Sequence, residues 1–227
     1  DTAENLVASI HAGGDAFIAK SAPTEVLEAY MMAMARIAAL RAELSRANRK
    51  LANLANLDGL TGLFNRRYMD QRLDELWSIL GNEGAPLGLL LVDVDHFKQY
   101  NDCYGHLPGD DALRMVATAL ARVVDGVNRE GLPDAFVARY GGEEFAVILP
   151  RCPAKGFPRV AEALRAAVAG LEIPHEGNQP WERVTLSVGG AYLPRTSGPL
   201  AQLFRQADAR LYDAKRSGRD RVELISA

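Results

Sequence analysis

Leu87-Gly-Leu-Leu-Leu-Val-Asp-Val94 is a nearly continuous apolar run that ends on acids, Asp93 and then Asp95. Eight residues without polar alternation predict a strand buried on both faces. A second decisive stretch is Phe136-Val-Ala-Arg-Tyr140, Gly141-Gly142-Glu143-Glu144, Phe145-Ala-Val-Ile-Leu149. Two β-prone runs joined by a Gly-rich tetrapeptide read as a hairpin. Around them lie a helix over 111–124, with Leu113, Val116, Leu120 and Val123 on one face, and a helix over 161–171. A strand over 184–192 and a last helix over 200–216 follow. Strand, helix, hairpin, helix, strand, helix predicts an α/β (α+β) sandwich: one central mixed or antiparallel-containing sheet flanked by helices, within residues 57–227.

Composition bounds the function. The 227 residues carry 26 Lys plus Arg against 29 Asp plus Glu, a net charge of −3. A nucleic-acid binder that neutralises phosphates shows a basic excess, so nucleic acid is not expected as a partner. With 48% apolar and 24% charged residues, the chain reads as globular. Its apolar runs fall far short of the roughly 20 residues that span a bilayer, so no membrane segment is expected. Asp1 in place of Met points to a piece of a longer chain. Cys103 and Cys152 suit neither a disulfide framework nor a zinc site, and the plain reading is reduced thiols in a cytoplasmic protein.

Residues 23–56 read as one long helix. Ile37, Leu40, Leu44, Ala47, Leu51 and Leu54 step by three and four, a heptad seam that extends back through Val26, Tyr30 and Ala33. The stripe is that of either an amphipathic helix packed on its own domain or a parallel coiled coil between two chains. Its narrowness, and the lack of a following partner helix, favour a coiled-coil homodimer. Residues 1–22 are too few to fold alone. Their helix–strand pattern, with Asp15-Ala-Phe-Ile-Ala19 before Lys20, resembles the end of a response-regulator receiver domain, although Ser21 stands where that family usually has Pro. An unrelated capping segment is the alternative.

The carboxylates carry the chemistry. Asp93 sits at a strand end with a buried stem behind it, and Glu143 and Glu144 lie in a turn where two glycines leave room for a ligand. If the hairpin pairs beside the Asp93 strand, all three acids meet at one sheet edge. Hard oxygen ligands there suit Mg²⁺ with substrate phosphates, the layout of metal-assisted phosphoryl or nucleotidyl transfer. Taken alone, adjacent acids in a turn are as well explained by solvation.

More than the acids is present. Arg139-Tyr-Gly-Gly-Glu-Glu-Phe145 resembles the signature of the GGDEF family, the diguanylate cyclases, in its GGEEF form. Asp58-Gly-Leu-Thr-Gly-Leu-Phe-Asn-Arg-Arg67 resembles the family's opening motif. Asp93-Val-Asp-His-Phe-Lys98, Asn101-Asp102, Gly105-His106 and Gly109-Asp110 resemble its first-strand and substrate motif. Asp208-Ala-Arg-Leu-Tyr-Asp-Ala-Lys215 with Gly218-Arg219 resembles its closing helix. Together they cover about 170 residues.

The resemblance implies a nucleotide-cyclase or polymerase-palm-like fold and the condensation of two GTP into cyclic di-GMP with release of two pyrophosphates. It implies Mg²⁺ (or Mn²⁺) held by Asp93, Glu143 and the Val94 carbonyl, with Glu144 as a second-metal or outer carboxylate. Glu143 is also the implied base for the attacking 3′-hydroxyl. Asn101 and Asp110 are implied to select guanine, although each also suits a helix cap. Lys98, Lys215 and Arg219 are implied to contact phosphates, and Gly141 and Gly142 let the backbone approach the nucleotide. If the closing helix persists past Arg216, Lys215 and Arg219 share a face. Asp95 and His106 read as supporting residues, and Phe97, Tyr140 and Phe145 as core.

One departure stands out. The family's product-inhibition element is an Arg-x-x-Asp whose Asp lies four residues before the signature Arg, and here those positions hold Leu132 and Ala135. Asp134 and Arg129 are nearby but out of register, so inhibition by product is expected to be weak. Besides an active dimeric cyclase, two other readings are open. One is a catalytically inactive GGDEF domain acting as a GTP or cyclic di-GMP receptor. The other is a palm-like enzyme that uses ATP.

Overall fold

The protein, seen in a computed structural model, is described over residues 23–226. The receiver-like segment expected over residues 1–22, with Lys20, lies outside them. The chain divides into two compact units, Asp1–Ala55 and Asn56–Ala227. In the first, α1 (Thr24–Asn56) is a single helix of 33 residues, as the absence of Gly and Pro over that span predicts. The seam residues Val26, Tyr30, Ile37, Leu40 and Leu44 are all exposed, Leu40 at 65% and Leu44 at 62%. The side chains of Ala47, Leu51 and Leu54 lie outside those described.

The second unit holds β1 (Phe64–Asn65), α2 (Arg66–Glu83), β2 (Leu87–Val94), α3 (Phe97–Tyr104), α4 (His106–Arg129), β3 (Phe136–Gly141), β4 (Glu144–Pro150), α5 (Gly156–Ala169), β5 (Leu186–Leu193), α6 (Leu200–Arg216) and β6 (Arg221–Ser226). The strands form one mixed six-stranded sheet in the order β1-β3-β4-β2-β5-β6. β2 is antiparallel to both β4 and β5, while the outer pairs β1–β3 and β5–β6 are parallel. Every residue of β2 is buried, as its unbroken apolarity predicts, because it has a strand on each side and helices on both faces.

Each face has its own core. Leu90, Val92, Phe145, Val147 and Val188 pack with Val116 and Leu120 of α4 and Leu164 and Val168 of α5. On the other face Leu87, Leu89, Leu91, Ala146 and Ile148 pack with Met69, Leu73, Leu76 and Leu80 of α2 and Leu203 and Leu211 of α6. Helix α2, strand β1 and strand β6 are not evident in the sequence patterning above. Asn65 caps α2 by accepting a 3.0 Å hydrogen bond from the Tyr68 amide, and left-handed Gly84 (φ 63°) ends it. The expected helix over 111–124 starts five residues earlier, at His106. Pro108 lies in its first turn, where no helical partner for an N–H is lost.

Two close approaches place the helices that matter for function. A Cβ on Gly189 of β5 would land on the backbone N of Leu211, so only glycine lets α6 lie directly on the sheet. A Cβ on Gly109 of α4 would land on the Asn101 amide, so glycine there lets α3 and α4 close on each other. No helix among the described residues is long and apolar enough to cross a membrane. Cys103 is exposed and Cys152 buried, both as free thiols.

Candidate active site

The pairing expected of the hairpin is present. Asp93 lies directly across from Glu144 in the β2–β4 register, and the Val94 N–H donates to the Glu143 carbonyl at 3.3 Å. The turn itself is made by a bulge between Arg139 and Gly141 and by Gly142 at φ 53°. That left-handed value favours glycine. Asp93 therefore stands at the same sheet edge as Glu143 and Glu144.

Asp93 is 8% exposed. Burial first, and then the charges of Glu143 and Glu144, push its carboxyl up to about 6, against the opposing pull of Lys215. The Lys215 ammonium, near the end of α6, lies 2.7 Å from Asp93 Oδ2. A buried carboxylate with two further acids at the same edge is one that a divalent cation would hold in its charged form, so the residues fit a metal. Among the described residues no three His, Cys, Asp or Glu side chains form a closed cage. An ion here would be completed by backbone and substrate oxygens, as Mg²⁺ habitually is.

The basic residues gather from three elements. Lys98 is exposed in the first turn of α3, directly after the Asp95–His96 turn. Lys215 comes from α6. Arg219 does not continue that helix, which ends at Arg216, so the shared helical face anticipated for Lys215 and Arg219 is not formed. Instead Gly218 (φ 113°) turns the chain, and the Arg219 N–H returns to the Ala214 carbonyl at 3.0 Å in a Schellman motif. The Asp220 N–H, next to Arg219, donates to Asp95 at 3.1 Å, which brings this turn to the end of β2. Burial and then the Arg219 charge push the His96 pKa down.

Asn101 lies against Gly109 of α4, and Asp110 is the next residue along that helix. Neither acts as a cap: Asn101 lies within α3 and Asp110 within the first turns of α4. Asn101 Oδ1 is buried without a hydrogen-bond partner among the described residues, a state that calls for a donor from a ligand or water.

The partners of three supports are seen only in the fold. Arg139 of the signature donates from Nε to the Gly142 carbonyl at 2.8 Å and from Nη1 to Asp58 at 3.0 Å. Asp58 also accepts from the Thr61 N–H and Oγ1 at 2.9 and 2.7 Å. Partial burial works against its charge, but the Thr61 and Arg139 bonds prevail and hold its carboxyl below the usual range. The opening motif thus braces the acidic turn. Asp95, in the turn directly after β2, is 1% exposed. It accepts from Thr185 Oγ1 at 2.7 Å, Ser187 Oγ at 2.6 Å and the Asp220 N–H at 3.1 Å. It ties β2 to β5 and to the residue after Arg219, the supporting role expected of it. The third support, His175, holds the start of α3. Asp93 and Asp95 are two residues apart, and only the fold reveals that one meets Lys215 and the other Thr185 and Ser187. Phe97 and Phe145 are core, Tyr140 is half-buried and His106 is exposed.

The comparisons with known proteins identify the family. The family described as "Diguanylate cyclase, GGDEF domain" matches residues 55–221. Diguanylate cyclase DgcP of Pseudomonas aeruginosa is 40% identical over 166 residues, 72% of this chain and 23% of that protein. Response regulator PleD of Caulobacter vibrioides is 40% identical over 162 residues, 71% of this chain and 34% of that protein. The chain spans only about a quarter to a third of these relatives. Among solved structures, the coiled coil and GGDEF domain of Caulobacter crescentus DgcB in complex with c-di-GMP matches with a TM-score of 0.69. It is 34% identical and covers 88% of this chain and 99% of that one. Diguanylate cyclase SiaD of Pseudomonas aeruginosa, in complex with its activator SiaC, matches with a TM-score of 0.68 at 31% identity, over 99% of this chain and 78% of that one. Since the family match takes in the Asp58 brace, the Asp93 strand, the acidic turn and the Arg219 turn in one continuous span, the chain belongs to the diguanylate cyclase GGDEF-domain family.

Proposed function

We propose that this chain is an active, Mg²⁺-dependent diguanylate cyclase that works as a homodimer. The observation that carries the reading is Asp93 set opposite Glu144, with the Glu143 backbone held on Val94. Asp93, Glu143 and the Val94 carbonyl would hold the ion, with Glu144 as an outer carboxylate. When bound, Mg²⁺ (or Mn²⁺) supplies Lewis-acid stabilisation of the α-phosphate and pyrophosphate oxygens.

The chain's own residues do the rest. Glu143 takes the proton from the 3′-hydroxyl of one GTP as that oxygen bonds to the α-phosphorus of the other, and pyrophosphate leaves. Repetition in the opposite sense closes the ring and releases the second pyrophosphate. Lys98 and Arg219 meet the growing phosphate charge. Lys215, paired with Asp93 at 2.7 Å, would be available to the pyrophosphate with Asp93 serving as an ion ligand. Asp110 accepts from guanine N1–H and N2–H₂ while the Asn101 amide pairs with O6 or N7, and the orphaned Asn101 Oδ1 has acceptor capacity left for a donor of the base. Adenine would leave Asp110 without donors, the kind of mismatch that discriminates strongly.

One domain holds one GTP, so two must face each other, and the exposed apolar stripe of α1 supplies that proximity by pairing two chains. Turnover assays with GTP and ATP side by side, read by separation of cyclic dinucleotide products, test the proposal. Cyclic di-GMP from GTP alone is the expected result. No product from either nucleotide, with GTP still bound, would identify a receptor, and an ATP product would identify a different cyclase.

A further inference from the structure

Helix α3 carries Lys98 and Asn101 but has only eight residues, too few for stability without outside help. Its N-cap, His96, is left-handed at φ 54° and makes no side-chain cap hydrogen bond. A non-glycine residue holds that conformation only where its surroundings impose it. The surroundings here come from the segment between α5 and β5. The His96 carbonyl accepts the first hydrogen bond of the helix, from Tyr100 N–H at 3.0 Å, and also lies 3.2 Å from His175 Nε2. A carbonyl only accepts, so Nε2 carries the proton.

His175 is wholly buried. Its ring stands edge-on to Tyr100 of α3, centroids 5.2 Å apart. Nδ1 is buried with no partner among the described residues, so a second proton there would find no acceptor among them. Burial also pushes the imidazole pKa down, which keeps the ring a neutral, single-proton donor. The ring is aimed by its own loop. His175 N–H donates to the Glu182 carbonyl at 2.9 Å, and Asn178 N–H to the His175 carbonyl at 3.0 Å. Asn178 Nδ2 donates to the Arg183 carbonyl at 2.7 Å and to Thr185 Oγ1 at 2.9 Å. Next to His175, the Glu176 N–H donates to Tyr104 Oη, at the far end of α3, at 3.1 Å. The loop therefore grips α3 at both ends.

We propose that His175 is a positioning residue for nucleotide binding: its Nε2–H on the His96 carbonyl fixes the turn from which α3 presents Lys98 and Asn101. It touches no substrate itself. The proposal rests on the reading of Lys98 and Asn101 as GTP contacts.

The test compares His175→Phe, which keeps a ring but loses the donor, with His175→Gln, whose amide nitrogen reaches about as far as Nε2. Binding of a non-hydrolysable GTP analogue, KM, kcat and melting temperature are measured for each. Loss of one hydrogen bond of this kind predicts analogue binding weakened about tenfold in His175→Phe with kcat changed less than about threefold, and recovery of most of the affinity in His175→Gln. A lowered melting temperature with unchanged affinity and KM, or equal losses in both variants, would overturn the positioning role. Should His175→Phe not fold, His175→Asn, whose amide falls short of the carbonyl, is read against His175→Gln with the same two outcomes. Asn101→Ala serves as the reference. If it leaves analogue binding intact, the nucleotide reading of α3 has failed. If it weakens binding while His175→Phe does not, the positioning role has failed.

Discussion

Glu143 sits half-exposed in a turn, where a carboxylate adds little to a core, yet it is assigned both metal ligation and proton abstraction. Glu143→Gln should keep the fold and lower cyclic di-GMP formation by about 10³-fold or more, because ligand and base are lost together. Melting curves matching the parent's, alongside a product assay, are the check, and parental turnover would refute the assignment. Asp58 is a residue of the opposite kind, remote from the acids but bonded to the arginine that holds their turn. Its carboxyl lies below the usual range in the folded protein. The stability it adds is thus present above the ordinary carboxylate pKa and is lost as pH falls through its lower folded value. Asp58→Asn should cost roughly 1–3 kcal/mol at neutral pH, lower turnover by loosening the turn, and flatten the acid limb of the stability profile. Denaturant titrations of both proteins from neutral pH down to about 3 measure it, since an unfolded Asp titrates near 3.9.

At the scale of elements, placement of α6 depends on a hole in the side-chain layer of β5. Gly189 lets the helix backbone touch the sheet, and the same helix delivers Lys215 to Asp93. Gly189→Ala should destabilise by about 1–3 kcal/mol through overpacking and should also reduce activity, since the helix must move off the strand. Calorimetric melts and turnover measured together test this. A stable variant whose activity falls would show that register, rather than stability, is what the glycine protects. Unchanged values of both would mean that α6 is not seated as described.

Over the whole molecule, the proposed reaction needs two chains. Replacing Leu44 and Leu51 with Asp puts charge into the seam of α1 and should break a coiled-coil pair. Sedimentation should then show monomers, and specific activity should fall as the protein is diluted, because the two GTP-loaded domains must meet by collision. A monomer with undiminished specific activity at every concentration would remove the helix from the mechanism. Product feedback is the other global property. Where the family element would stand, Leu132 and Ala135 offer no charged group, and both backbone groups of Ala135 bond to the Asn128 side chain at 3.0 Å. Asp134 has Arg72 and Arg151 as its ion-pair partners, at 3.5 and 3.8 Å. Cyclic di-GMP titrated into protein whose active site is filled with a GTP analogue should show only weak binding. Tight binding would reveal a working inhibitory site.

Much of this was legible in the residue order. The β2 strand, the hairpin and the α6 span show in apolar runs and turn glycines, because burial on both faces and positive φ are local demands. The approach of Asp93 to the acidic turn follows once the hairpin is paired with β2. Other features are not local. The two-residue β1 and the half-buried β6 are strands only because neighbours of distant sequence complete their hydrogen bonds. Where α6 stops, and hence where Arg219 points, was decided by the Schellman turn at Gly218. Partners 81 residues apart, Asp58 and Arg139, and 79 apart, His96 and His175, are polar or titratable groups of a kind common on surfaces. Only the fold removes them from water and obliges each to find the other. Residue order determined the central strands and the edge where the acids meet, and tertiary structure decided the outer strands and how that edge is braced.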